Sequence, residues 1–274
     1  MTFSIVARSG DAYGVAVASR FIAVGSVVPA ARLGVGAVAT QAMAKVSYAS
    51  DGLALLSTGA TAADTVARLT SLDEGRIDRQ LGVVGPTDQS TFTGAGCMDW
   101  AGGVSGGDAA SGYAIQGNIL VGERVVLDMK RAWVDNPLVP LAARLMLALV
   151  AGDDAGGDRR GRQSAALYAV APNAGYDHCG VLADLRVDDH RDATQELARI
   201  LDLHDLHFGP PGTVLPLEGQ LADEVREHLK ALGRTQPDLR DALADWASEA
   251  NFEMRMTQEG IDSRVLQALR DADA

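Results

Sequence analysis

Apolar and polar positions alternate most clearly at the start of the chain. Residues 3–7 and 15–18 are short runs of β-branched and small apolar residues on either side of SGDAYG, which predicts a β-hairpin. Residues 21–29 continue as an apolar stretch, and LGVGAVATQ at 33–41 is a further strand, expected beside the hairpin in one sheet. Its near-continuous apolar character predicts a sheet covered on both faces. Helical spacing comes next over 48–56 and 61–72, where Thr61 is a cap and Val66, Leu69 and Leu72 fall three apart.

Residues 80–85 and 90–93 then read as a second hairpin around PTDQ, and 113–116 as another strand. The glycine-rich stretch 94–112 reads as a long loop. A second helix pair is predicted over 122–134 and 137–151, then strands at 163–170 and 181–187 and a helix over 193–203. Strands alternating with helix pairs argue against a doubly wound sheet. They predict an α+β fold, a four-layer α-β-β-α sandwich with helices outside two sheets.

After about residue 205 the pattern changes. The PPG at 210–212 is a linker signal, and the rest of the chain reads as entirely helical, over 220–232, 237–248 and 262–271. The expected organisation is a domain over 1–205 and a small helical module over 206–274. The module holds much of the charge: residues 204–274 carry 14 acidic and 7 basic side chains, or −7 of the net −12.

That acidity excludes non-specific nucleic-acid and anionic-membrane partners, which need a basic surface. No apolar run reaches the ~18 residues of a membrane span and no basic segment precedes a signal-like stretch, so a cytoplasmic location is expected. Cys97 and Cys179 lack the spacing of a zinc cage or a disulfide framework. Asp184, Asp188, Asp189 and His190, with His178 and Cys179, fit neither a calcium loop nor a zinc motif and read as a charged strand end, so no metal or cofactor is expected.

The chemistry centres on Thr2. A small residue after the initiator Met favours its removal, which would place a hydroxyl and a free α-amine on one residue. An α-amine of reference pKa roughly 7.7–8.0 is matched to take the hydroxyl proton near neutral pH, so nucleophile and base travel together. The structural reading is that Thr2 only begins a strand. Asn118, ending the Gln116–Asn118 strand before a helix, is an oxyanion candidate or a helix cap. Gln41 either binds a substrate amide or satisfies buried backbone groups.

TFSIVAR at 2–8, VASR at 17–20 and GDRRGRQSAAL at 157–167 resemble the bacterial and archaeal domain-of-unknown-function family 1028. GAVATQ at 36–41, YAIQGNIL at 113–120 and DLRVDDH at 184–190 add to the likeness, which covers roughly 2–203. The resemblance implies the fold of the N-terminal-nucleophile (Ntn) hydrolases and gives Thr2 the nucleophile's place. Proteasome-like relatives carry Asp-Ser-Arg at the end of the second strand; Ser19 and Arg20 match, but Ala18 replaces the aspartate, and their lysine has no counterpart. Asp158 to Ser164 resembles, at a longer spacing, the segment in which an aspartate and a serine orient the nucleophile in those relatives. LPLEG at 215–219 and ANFE at 250–253 resemble a helical module described as peptidoglycan-binding.

Arg159, Arg160 and Arg162 either clamp a substrate carboxylate or form a solvated loop surface. Lys45 offers a charge near Gln41. The expected function is cleavage of an amide bond in a small substrate, through an acyl-enzyme on Thr2 in a homo-oligomer. The alternative is a binding or assembly protein on the same fold, with the C-terminal module recruiting a cell-wall fragment or a protein partner.

Overall fold

Strand β1 (Thr2–Ser9) turns back into β2 (Ala12–Ser19) through Gly10 and Asp11, and Gly10 adopts φ 57°, which glycine takes without a Cβ penalty. The computed structural model describes residues 2–108 and 110–272, and the chain divides into two compact units, Met1–Leu201 and Asp202–Ala274. It is a mixed α+β protein with a C-terminal helical region.

In the first unit β1 is an inner strand of a six-stranded antiparallel sheet. β2 and then β9 (Ser164–Val170) and β10 (Val181–Val187) lie on one side of it, and β8 (Ser111–Asn118) and β7 (Gly102–Gly107) on the other. A second sheet holds β3 (Pro29–Arg32), β4 (Gly36–Ala42), β5 (Arg79–Val84) and β6 (Gln89–Thr93) in that order.

The period-2 pattern of β1 explains its position, since a strand sends alternate side chains to opposite faces. Phe3, Ile5 and Ala7 join a core with Val125, Met129 and Trp133 of α3 (Arg124–Asp135) and Leu145 and Leu149 of α4 (Leu141–Asp154). Leu197 of α5 (Ala193–Phe208) completes it. Val6, with Val15 and Val17 of β2, packs instead against Val28, Ala37, Ala39 and Val84 from the segment and strands of the other sheet. That sheet buries Val38, Leu81 and Val83 against α1 (Ser47–Ser57) and α2 (Ala62–Ser71). Thr61 caps α2 by accepting from the Asp64 amide at 3.0 Å.

Two expectations are corrected by this topology. The strand ending near Gln41 does not lie in the sheet of Thr2. Residues 24–26 form a short 3-10 turn entered through Ala23 at φ 52°, and this redirects the chain so that β3 pairs with β4 in the other sheet. The stretch 94–112 is not all loop, because β7 runs through it; four glycines in GGVSGG remove the alternation that marks a strand, yet its backbone pairs with β8 from Gly102 to Gly107.

In the second unit α6 (Gly219–Ala231), α7 (Leu239–Glu249) and α8 (Ser263–Ala272) bury Val225, Leu229, Leu243, Trp246, Val265 and Leu269 together. The unit is not entirely helical, since β11 (Val214–Pro216) pairs with β12 (Gly260–Asp262); strands of three residues are too short to show a period. Buried Arg255 donates to the buried Asp262 carboxylate at 3.2 Å and to the carbonyl of Leu206 at 2.6 Å. Burial pushes the Asp262 carboxyl up, but amides of Gly212, Arg264 and Val265 and the Arg255 charge outweigh it and hold the group below its ordinary value.

Candidate functional site

Four polar side chains line up across the end of the six-stranded sheet. Ser164 of β9 pairs with Ser19 of β2, and Thr2 of β1 pairs with Asn118 of β8. Because Phe3 pairs with Ala18, Ser19 and Thr2 are also opposite each other, and directly opposed residues share a face. Alternation with Val6, Val17, Ala114 and Ala166 turns this row toward the other sheet. All four residues are buried, Thr2 at 6% exposure being the least so. The Thr2 Oγ1 and Ser19 Oγ atoms lie 3.2 Å apart. Ser164 does not reach Thr2; its hydroxyl donates to the Phe21 carbonyl and accepts from the Val24 amide at 3.1 Å, fastening the turn after Ser19.

Beneath the row is a network of side-chain amides between the sheets. Asn118 Nδ2 donates to Gln80 Oε1 at 2.9 Å and, at a longer 3.4 Å, to the Thr2 carbonyl. Gln41 Nε2 donates to the same Gln80 oxygen at 2.7 Å and to the Thr2 carbonyl at 3.2 Å, while its Oε1 accepts from Ser4 at 2.6 Å. Gln116 donates to the Ser4 hydroxyl at 2.6 Å, and its own carbonyl oxygen accepts from Thr91 at 3.2 Å. Gln80 Nε2 donates to the Gly117 carbonyl at 2.7 Å and to Thr93 Oγ1 at 2.9 Å. A Cβ on Gly82 would overlap the Gln116 amide, so glycine there makes room for the network.

Gln41 therefore reaches Thr2 across the gap between sheets and not along its own sheet, and its amide is used inside the protein. Asn118 is no helix cap, because α3 begins only at Arg124. The next residue, Ile119, sits at φ 50°, an outlier for a β-branched residue beside a candidate site.

Asp158 bridges to the chain just past Asn118, through its backbone pairing with Leu120. Its carboxylate accepts from the Arg20 amide at 2.8 Å, the Arg160 amide at 2.9 Å and the Arg160 guanidinium at 3.2 Å. The exposed Arg20 guanidinium donates to the Arg162 carbonyl at 3.1 Å. Arg162 grips the buried Asp153 carboxylate through Nε at 2.7 and 2.8 Å. Burial pushes the Asp153 carboxyl up more than this contact lowers it, and the same contact raises Arg162. The Arg159 side chain is exposed and contacts no charged group among the described residues. A cavity of about 80 Å³ lies against this group, lined in part by Phe3, Ser19, Asp153, Asp158, Ser164 and Thr194.

Other candidates lie apart from this group. Lys45 Nζ is 3.8 Å from Asp73, which also takes a hydrogen bond from Arg79 at 3.0 Å and from the Tyr48 hydroxyl at 2.8 Å. Arg186 pairs with Asp188, Gln163 donates to Asp189 at 3.1 Å, and His178 Nδ1 is 3.1 Å from the Asn173 carbonyl. Among the described residues no three histidine, cysteine or carboxylate side chains gather as a metal-holding group. Met1, on which the state of the Thr2 amine depends, lies outside the described residues.

Sequence reasoning missed Ser4, Gln80, Gln116, Asp153 and Thr194. Ser4 was signalled by sharing Thr2's parity in β1, and Gln80 and Gln116 by polar residues inside otherwise apolar strands. Nothing local marked Asp153, which lies near the end of a helix, or Thr194, which lies near the start of one.

A comparison with curated proteins found no match. Among solved structures, the crystal structure of protein SPO2555 from Silicibacter pomeroyi, assigned to family DUF1028, is similar with a TM-score of 0.65 and 28% identity, covering 81% of this chain and 92% of that one. The sequence model of a family described as "Putative peptidoglycan binding domain" matches residues 209–269. The model described as "Family of unknown function (DUF1028)" matches residues 2–197, and the chain belongs to that family.

Proposed function

We propose that this chain is an Ntn-type amide hydrolase, built on the α-β-β-α sandwich, that cleaves a small substrate through an acyl-enzyme on Thr2. The observation that carries it is the placement of the Thr2 hydroxyl at the end of an inner strand, 3.2 Å from Ser19, with its carbonyl held by Gln41 and Asn118. With Met1 removed, the α-amine of Thr2 takes the hydroxyl proton as Oγ1 attacks the substrate carbonyl carbon. The resulting ammonium returns that proton to the leaving amine as the C–N bond breaks, and a water releases the acyl group by the reverse sequence.

Asn118 supplies the oxyanion donor through its longer arm; catalytic hydrogen bonds are often long before substrate arrives. Ser19 orients the Thr2 hydroxyl and, with Arg20 and Arg159, faces the substrate. Arg160 serves that surface indirectly, through Asp158. Asp158 and Ser164 are positioning residues that hold the backbone just beyond Ser19. A homo-oligomer acting in the cytoplasm on a small amide belongs to the same proposal; no helix among the described residues is long and apolar enough to cross a membrane.

A second reading is a binding protein without chemistry. It is favoured by Ala18 at the aspartate position and by a groove of about 490 Å³ in the C-terminal unit, lined by Asp238, Arg240, Asp241, Met256 and Thr257, within the span matched to the peptidoglycan-binding description. Turnover of a panel of small amides by wild type and by Thr2→Ala separates the two. The first reading expects activity that Thr2→Ala abolishes with the fold intact; activity that persists in the variant overturns it.

A further inference from the structure

The end of the sandwich that carries Thr2 has an apolar surface. Chain next to the strand ends there exposes Phe21, Ile22, Met43, Ile77, Met98 and Val121, each by more than half, whereas chain next to the opposite strand ends exposes Leu33 and Tyr176 among the described large apolar residues. Apolar side chains exposed singly need no explanation, but several gathered round one site mark a place where an apolar group docks.

Backbone contacts fix where three of them stand. Gln41 and Asn118 both donate to the Thr2 carbonyl, and the residue after each, Ala42 at φ 67° and Ile119 at φ 50°, is left-handed without being glycine. Strain of that kind clusters where a site needs it. Beyond Ala42, the Met43 amide donates to the Asp78 carbonyl at 3.0 Å, next to Ile77. The Ile77 carbonyl accepts from the Gly96 amide at 2.7 Å, two residues before Met98, and the Met98 carbonyl accepts from the Ile119 amide at 2.9 Å. Met43, Ile77 and Met98 are thereby stitched into one surface that adjoins Asn118. Methionine suits such a surface, because its unbranched thioether adapts to apolar groups of varied shape.

The other side of Ile119 is basic. Its carbonyl accepts from the Arg159 amide at 3.3 Å, and Arg159 is exposed with no charged partner among the described residues. A carbonyl held at Thr2 and Asn118 therefore has an apolar surface on one side and an unpaired guanidinium on the other. An apolar ligand without charge would leave that guanidinium idle, so charge complementarity selects an anionic one.

We propose that the Thr2 site takes an N-acyl amino acid, an amide whose apolar acyl group lies on Met43, Ile77 and Met98 and whose carboxylate, on the amine side, meets Arg159. For cleavage this rests on the Thr2 reading and names its substrate class. The amide C–N bond breaks, one water gives its hydroxyl to the acyl carbon and its proton to the amine, and the products are an apolar carboxylic acid and a free amino acid. Binding itself does not depend on that reading.

The test uses the full chain carrying Thr2→Ala, so that turnover cannot deplete the probe. Acetylglycine, butyrylglycine and hexanoylglycine are titrated by calorimetry. Affinity should rise several-fold at each step, since one fully buried methylene tightens binding about fourfold. Adding Met43→Gln and Met98→Gln together should flatten that rise; both side chains are exposed, so the fold is kept. Hexanoylglycinamide, which lacks the carboxylate, should bind about threefold more weakly than hexanoylglycine, and Arg159→Gln or molar salt should erase the difference. Affinity independent of acyl length, a rise unchanged by the two methionine substitutions, or equal binding of the glycinamide would each overturn the assignment. A wild-type oligomer that those substitutions dissolve, with no acylglycine bound, would give the surface to a second copy of the chain and overturn it too. Binding as expected without turnover of hexanoylglycine by the wild-type chain would sink the Thr2 reading alone. Turnover of small amides with kcat/KM independent of acyl length would sink the substrate class alone.

Discussion

The Thr2 Oγ1 atom lies 3.2 Å from the Oγ of Ser19, where two adjacent antiparallel strands end together. Neither hydroxyl is reactive alone, and Ser19 carries no charge that would activate its neighbour. The contact sets orientation, leaving activation to a free α-amine. Ser19→Ala should therefore lower kcat about tenfold, as for one hydrogen bond in the transition state, with KM little changed. Steady-state kinetics on a turned-over amide checks this; a fall in kcat as complete as that of Thr2→Ala would make Ser19 part of the chemistry itself.

Gln80 joins two donors that both reach Thr2. Its Oε1 accepts from Gln41 and Asn118, and each of those also donates to the Thr2 carbonyl. Gln80→Leu removes that acceptor from both: Gln41 keeps the carbonyls of Thr2 and Gln116, but Asn118 is left with its longer contact to Thr2 and one buried N–H unpaired, at about 1–3 kcal/mol. The urea midpoint should fall accordingly. Turnover should fall too, although Gln80 has no hydrogen bond to Thr2. Unchanged stability would mean that the amide network carries no weight.

Legibility in the sequence depended on the range of each signal. The opening hairpin and the helices over 48–56 and 61–72 with the Thr61 cap sat on local patterns that the fold preserves, whereas Ser19 and Ser164 came from the family resemblance and the row they form with Thr2 and Asn118 is made by pairing between distant strands. Gln41 was misplaced because nothing local tells a strand whether it joins the preceding sheet or faces it. That depended on the turn at Val24–Ser26. Strand β7 was hidden by its glycines, since pairing uses the backbone while the pattern uses side chains. Asp153 and Thr194 meet only because the end of α4 and the start of α5 converge on one cavity, a contact across some forty residues of chain.

Asp73 supplies a pH dependence that is independent of catalysis. The hydrogen bond from Arg79, then the Tyr48 hydroxyl and the Gly75 amide, hold its carboxyl at about 2, against burial acting the other way. An unfolded aspartate titrates near ~3.9, so on acidification the unfolded chain takes up the proton first. This contribution to stability is whole above about pH 4 and is lost as pH falls toward about 2. Urea unfolding of wild type and Asp73→Asn across that window should show the difference between them shrinking as pH falls. A constant difference would assign the effect to packing.

The most direct test of the Thr2 assignment is the intact mass and N-terminal sequence of the protein purified from its own host. The Thr2 assignment predicts a mature chain beginning at Thr2, with the amine free to act as base. A mature chain that retains Met1 would block that amine and contradict the assignment.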